Sequence, residues 1–150
     1  MIILSRTNSH TTDFINLVAL LDEDLAKRDG DEHEFYARLN KVDDIRNIVV
    51  AYVEDKAIGC GSFKAYEPGV VEIKRMFVLP EHRGKGVAAA VLAELEHWAE
   101  EEGNSSCVLE TGKKQPEAIR LYQKSGYTVT PNYGKYEGVE NSVCMMKQLI

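Results

Sequence analysis

Hydrophobic positions change their period several times along the chain, and each change marks an element. Residues 2–5 are a short apolar run suited to an opening strand. Residues 11–25 then carry Phe14, Leu17, Val18 and Leu21 at helical spacing behind Thr11 and Thr12, two residues that suit a helix cap. Asp29-Gly30-Asp31 breaks this helix, and Phe35, Leu39 and Val42 predict a further turn or two of helix before the chain extends. Residues 47–53 are β-branched and apolar, Glu54-Asp55-Lys56 is turn-like, and 57–65 resumes an extended pattern through Ile58, Cys60 and Phe63. That sequence predicts an antiparallel hairpin. Residues 70–79 predict the next strand, stopped by Pro80, whose ring fixes φ and removes a backbone donor.

Past Glu81-His82-Arg83-Gly84-Lys85-Gly86 the period returns to that of a helix at Ala88, Leu92, Leu95 and Ala99, widened by Val91 and Trp98 and stopped by Gly103. Residues 107–110 are extended again. Pro116 at the first helical position, Ala118, Ile119 and Tyr122 on one face, and Ser125-Gly126 at the end predict another helix. Residues 127–130 and 142–149 close the sheet. No internal repeat, low-complexity tract or Pro/Gly/Ser linker interrupts the chain, so the elements predict one α/β domain over residues 1–150 with one core.

Composition narrows the function. With 150 residues and 44% apolar content the chain can bury roughly 70% of its unfolded surface, which excludes a disordered or fibrous protein. Eighteen basic against 24 acidic residues leave 18 − 24 = −6, with the basic residues dispersed, and this argues against nucleic acid as a partner. Cys60, Cys107 and Cys144 form no C-x-x-C pair, and His10, His33, His82 and His97 are scattered, none with a histidine at i+4, so no metal site is expected. Gly59-Cys60-Gly61-Ser62 lacks nucleophile-elbow spacing and falls within a strand, which predicts a buried thiol without chemistry. The longest apolar run, 87–93, is far below the ~20 residues a membrane helix needs. A soluble, cytoplasmic protein without a membrane partner is the expectation.

The helix entrance at 84–88 carries the strongest chemical signal. Arg83 and Lys85 crowd the positive end of the helix dipole and Glu100, Glu101 and Glu102 sit near the negative end, each charge losing ~0.3 kcal/mol or more before solvent screening. An anion bound at the entrance would explain the choice: glycines let backbone N–H groups approach a phosphate, and the dipole and both cations favour negative charge. A solvated basic turn ahead of an ordinary amphipathic helix is the plain alternative. Gly84-Lys85-Gly86-Val87-Ala88-Ala89 also fits the dinucleotide pattern G-x-G-x-x-A, but residues 79–83 separate it from its strand and only 40 residues follow Glu110.

Arg83-Gly84-Lys85-Gly86-Val87-Ala88 matches R/Q-x-x-G-x-G/A and resembles the acyl-CoA pyrophosphate motif of the GNAT superfamily of N-acetyltransferases. The resemblance extends to the preceding strand at 71–80, to Leu109-Glu110-Thr111-Gly112, and to 117–127, and it is detailed over 70–130 and looser in the N-terminal third. It implies a GNAT-like α/β fold: a central mixed, mostly antiparallel sheet flanked by helices, with the fourth and fifth strands splayed around acetyl-CoA. It further implies that the backbone of Met76, Phe77 and Val78 meets the pantetheine and that Arg83, Gly84, Lys85, Gly86, Val87 and Ala88 wrap the pyrophosphate. Gln115 stands where the family often has asparagine at the cofactor, and Tyr127 replaces a commoner phenylalanine.

The reaction implied is direct attack of a primary amine of a small molecule or peptide on the thioester in a ternary complex. Tyr122 occupies the position of the family's general acid, and its phenol, with an ordinary pKa of about 10, is a donor at neutral pH. Glu72, Glu110 and ordered water are alternatives for the base. Strict strand alternation puts Glu72, Lys74 and Met76 on one face and Ile73, Arg75 and Phe77 on the other, so Glu72 and Arg75 share a face only if a bulge intervenes. Glu110 and Tyr133, the latter in the loop Asn132-Tyr133-Gly134-Lys135-Tyr136, are candidates for acceptor binding. The acidic excess favours a cationic acceptor, while Lys74 and Arg75 would suit a substrate carboxylate. Dimerisation is plausible for such a family. A non-catalytic CoA-binding sensor or scaffold is the alternative function, and Tyr122→Phe separates the two.

Overall fold

The computed structural model describes residues 1–29 and 45–149. The helical turns predicted around Phe35, Leu39 and Val42 lie outside the described residues. Strand β1 (Ile3–Thr7) leads into helix α1 (Thr12–Asp29), then β2 (Asn47–Val53), β3 (Lys56–Glu67) and β4 (Val70–Val78). A 3-10 turn at Pro80–His82 precedes helix α2 (Val87–Glu101), followed by β5 (Ser106–Gly112), helix α3 (Pro116–Lys124), β6 (Thr128–Thr130), a second 3-10 turn at Gly134–Tyr136, and β7 (Ser142–Gln148). The predicted elements recur in order, with ends moved by a few residues.

The seven strands form one mixed sheet in the order β1-β2-β3-β4-β5-β7-β6, with β4/β5 its parallel neighbours and the other pairs antiparallel. The β2/β3 hairpin closes through two residues, Glu54 and Asp55, both at positive φ, the backbone twist such a short loop requires even without glycine. Alternation along β2 sorts the core. Ile48 and Val50 join Phe14, Leu17 and Leu21 of α1 on one face, while Val49 and Ala51 join Val91, Leu92 and Leu95 of α2 on the other. Gly61 lets α2 lie against β3, because a Cβ there would meet Leu95 and Val91 side chains at 2.9 Å and overlap the Met76 sulfur. No helix among the described residues is long and apolar enough to cross a membrane.

Strand β4 is interrupted twice. Its pairing with β5 runs from Val70↔Ser106 to Ile73↔Leu109 and stops, although β4 continues to Val78 and β5 to Gly112, which stays paired with Ser142 of β7. Past Ile73 the two strands diverge, leaving a gap in the sheet. The second interruption is a bulge. Cys60 pairs with Phe77 but Ser62 with Lys74, so Gly61 alone faces Arg75 and Met76, and Arg75 takes a left-handed φ of 59°. The bulge reverses the alternation beyond it. Met76 packs toward α2 and Phe77 joins the α1 cluster, opposite to what strict alternation gives, and Arg75 shares the α1 side with Glu72 and Lys74, where it pairs with Asp22 of α1 at 3.3 Å.

Candidate active site

The entrance to α2 is built from two glycines. Gly84 and Gly86, the latter at the helix cap, have φ of 78° and 84°, a region that favours residues without a Cβ. Nothing lies within 4 Å of a Cβ placed on either, so the space above them is open. The cap makes no side-chain hydrogen bond, the first turn holds no acidic residue, and helix bonding begins with Ala90 N–H to the Gly86 carbonyl. The amides of Val87, Ala88 and Ala89 therefore have no partner within the helix and face outward with the positive end of the dipole. This arrangement fits a diphosphate.

The cations around it differ from the sequence picture. Arg83 lines the cleft, but its Nε donates to the Val78 carbonyl at 2.8 Å, its Nη2 lies 3.8 Å from Asp24, and its guanidinium sits over the Phe77 ring at 5.4 Å. It ties the end of β4 to α1. Lys85 is exposed and outside the lining. Arg120 and Lys124 line the opposite wall from α3. Sequence reasoning missed both; their i, i+4 spacing is visible, yet on a nine-residue helix it reads equally as a solvated face. Glu101 at the far end of α2 and Glu94 at its middle hold Arg6 of β1 at 2.9 and 2.7 Å, and Glu102 just past the end accepts from Asn47 of β2 at 3.0 Å. Those acids anchor strands, so their placement against the dipole has its own cause.

Between this entrance and α3 runs a cleft of about 450 Å³, with Met76, Phe77 and Val78 along the strand side and Ala118 and Tyr122 across from them. A smaller, mostly polar pocket of about 110 Å³ continues from it, and both are lined by Met76, Gln115 and Tyr122. Tyr122 is 7% exposed, and its ring meets Tyr127 edge-on at 5.9 Å. Burial, and secondarily Glu110, pushes its phenol above the ordinary value of 10, so the proton stays on at neutral pH. No hydrogen bond from another described side chain engages the Tyr122 hydroxyl.

The small pocket gathers the charged candidates. Glu72 is 3% exposed, accepts the Tyr133 hydroxyl at 2.7 Å, and lies 4.0 Å from Lys74 Nζ. Burial pulls Lys74 down to about 8, against the upward pull of Glu72, and its Nζ donates to the Tyr136 hydroxyl at 3.4 Å. Glu110 accepts from Ser142 Oγ at 2.7 Å and lines the pocket from β5. Tyr133 lies behind Glu72 rather than in the lining, packed edge-on against Tyr66 and Tyr136, and its own phenol is pushed up by burial and by Glu72. The structure thus brings Met76, Phe77, Val78, Arg83, Gly84, Gly86, Val87, Ala88, Gln115 and Tyr122 to one cleft, and Glu72 and Glu110 to the pocket beside it. Among the described residues no group of histidine, cysteine and carboxylate side chains is placed to hold a metal.

The sequence profile of the Acetyltransferase (GNAT) family matches residues 14–127. The chain belongs to the GNAT acetyltransferases. An IAA acetyltransferase of Azospirillum brasilense is 37% identical over 107 residues, 71% of this chain and 69% of that protein. An acyl-CoA N-acyltransferase structure from Klebsiella pneumoniae superimposes with a TM-score of 0.84 at 27% identity, covering 100% of this chain and 99% of that one. The PaiA N-acetyltransferase of Thermoplasma acidophilum, solved in complex with coenzyme A, superimposes with a TM-score of 0.75 at 18% identity over 99% of each chain. As a GNAT protein the chain is an acetyl-CoA-dependent N-acyltransferase, and the open amides of α2, with the glycines before them, are the part of this chain suited to its pyrophosphate.

Proposed function

We propose that this GNAT transfers acetyl to a primary amine of a small molecule or peptide by direct attack within a ternary complex. The reading rests on Tyr122: a protonated phenol stands at the junction of the open cleft and the polar pocket. The thioester of acetyl-CoA supplies an activated acetyl carbonyl. The amides at the start of α2 and the cations Arg120 and Lys124 bind the phosphates, and the unpaired edge of β4 at Met76, Phe77 and Val78 offers backbone groups to the pantetheine arm. Glu72 or Glu110, directly or through water, takes a proton from the acceptor ammonium, leaving a neutral amine. The C–N bond forms as the C–S bond breaks, the Tyr122 hydroxyl donates its proton to the departing sulfur, and the second proton lost by nitrogen restores the phenol through solvent. The products are an amide and a thiol.

Tyr122→Phe tests this. Turnover should fall by about 10²-fold or more, the usual contribution of a positioned acid, while calorimetry finds CoA affinity within about threefold of the parent. Unchanged turnover removes Tyr122 from the chemistry. Tight CoA binding by the parent with no transfer to any amine favours the sensor or scaffold reading.

A further inference from the structure

The acid-rich surface of this chain contrasts with the polar pocket beside Tyr122. Lys64, Lys74, Arg75 and Lys135 lie close enough for Lys74 to be held down by the other three, after burial itself, and Lys64 stands directly across from Glu72 in the β3/β4 register. Lys74 and Arg75 line the pocket together with the carboxylates Glu72 and Glu110, while Asp22 pairs with Arg75 from α1. A net charge of −6 gives no reason for cations to collect there. The bulge brings two of them in: Lys74 and Arg75 are consecutive, yet both line the pocket because Arg75 takes a left-handed backbone conformation. The Arg75 side chain is 7% exposed, its Nη1 reaches Asp22 at 3.3 Å, and its Nε is buried without a hydrogen-bond partner. Buried guanidinium donors are ordinarily satisfied, and a carboxylate forked across the guanidinium satisfies two of them at once.

From this juxtaposition we propose that the pocket is an acceptor subsite for a free amino carboxylate: Arg75 and Lys74 take its carboxylate, while Glu72 and Glu110 receive its ammonium next to Tyr122. The inference rests on the transferase reading and names its substrate class. About 110 Å³ suits the headgroup of an amino acid. Arg75 on β4 and Glu110 on β5 set the orientation, since a reversed molecule would put like charges together. An amine without a carboxylate would leave Arg75 Nε without an acceptor.

The test measures thiol release from acetyl-CoA with free amino acids, each beside its amide and its decarboxylated amine. The amino acids used should show kcat/KM at least tenfold above their amides, and Arg75→Gln should raise the acceptor KM at least tenfold and erase that preference. CoA affinity by calorimetry should stay within twofold, which also reports folding. Should Arg75→Gln fail to fold, Lys135→Gln, exposed with its Nζ 5.7 Å from the ring of the lining Tyr136, is expected to raise the same KM two- to threefold. Equal or better use of amides or decarboxylated amines overturns the proposal, as does an unchanged preference in a folded variant, or no use of any amino acid while another amine is acetylated. A parent protein that binds no CoA would instead sink the underlying transferase reading.

Discussion

The two halves of β4 are one strand under two regimes. In the first half, from Val70 to Ile73, the backbone is laddered to β3 on one side and to β5 on the other, and Val71 and Ile73 are fixed in the core beneath α2. In the second half the β5 ladder is gone, a bulge at Arg75 reverses which side chains face which helix, and the strand edge forms the wall of a cleft. The difference teaches how a sheet makes room for a ligand without an extra domain. A parallel pair is released after four residues, and the strand is re-aimed by a single residue in an unfavourable conformation. Packing stability should reside in the first half and cofactor binding in the second, with Glu72 and Ile73 reaching the polar pocket from the first half.

The sharpest way to break this division is Ile73→Ala, at 4% exposure in the laddered half. It should cost about 2–5 kcal/mol in urea unfolding and leave the CoA affinity of the folded protein unchanged; Met76→Ala, in the open half and only partly buried, should cost less than half as much. A larger penalty at Met76 would reverse the comparison. Next is Gly61→Ala beneath the bulge, where the new methyl meets Leu95, Val91 and Met76. It should cost about 1–3 kcal/mol by overpacking. Gly86→Ala meets no neighbour, so only its φ of 84° opposes it, and the loss should be about 1–2 kcal/mol, with CoA binding weakened several-fold in calorimetry.

The smallest effect compares one thiol behind each half. Cys60 lies opposite Phe77 and Cys107 opposite Val71, and burial pushes both thiols from 9.0 up to about 12. The folded chain keeps these protons when the unfolded chain has released them. The stabilisation is therefore complete below pH 9 and lost as pH rises toward about 12. Urea midpoints should fall between about pH 9 and 11, and fall less in Cys60→Ala or Cys107→Ala. A variant with the same decline as the parent would show that its thiol does not carry the effect.

Local pattern determined much of this protein. The apolar stripe Val91, Leu92, Leu95 and Ala99, the stop at Pro80, the helix start at Pro116 and the Gly84/Gly86 entrance are each set by residues within a turn or two of one another, through helical periodicity, ring constraint and positive φ. Tyr122 was legible because its helix face and its distance from Gly126 are sequence-local. The motif also carried the GNAT assignment. Tertiary structure decided the rest. Nothing local announces that Arg75 will take a left-handed conformation, since arginine has no preference for it; the bulge is fixed by the register that β3, with Gly61 against α2, imposes on β4. Alternation therefore misassigned Met76 and Phe77, and nothing local shows that Arg83, which lines the cleft, also ties down the Val78 carbonyl. Likewise Arg120 and Lys124 become cleft residues, and Tyr133 a support for Glu72, only once α3 and the last loop are packed against the split sheet. Sequence fixes which short segments curl or extend because that depends on near neighbours. Which side chains converge depends on contacts between residues far apart in the chain, and only packing selects those.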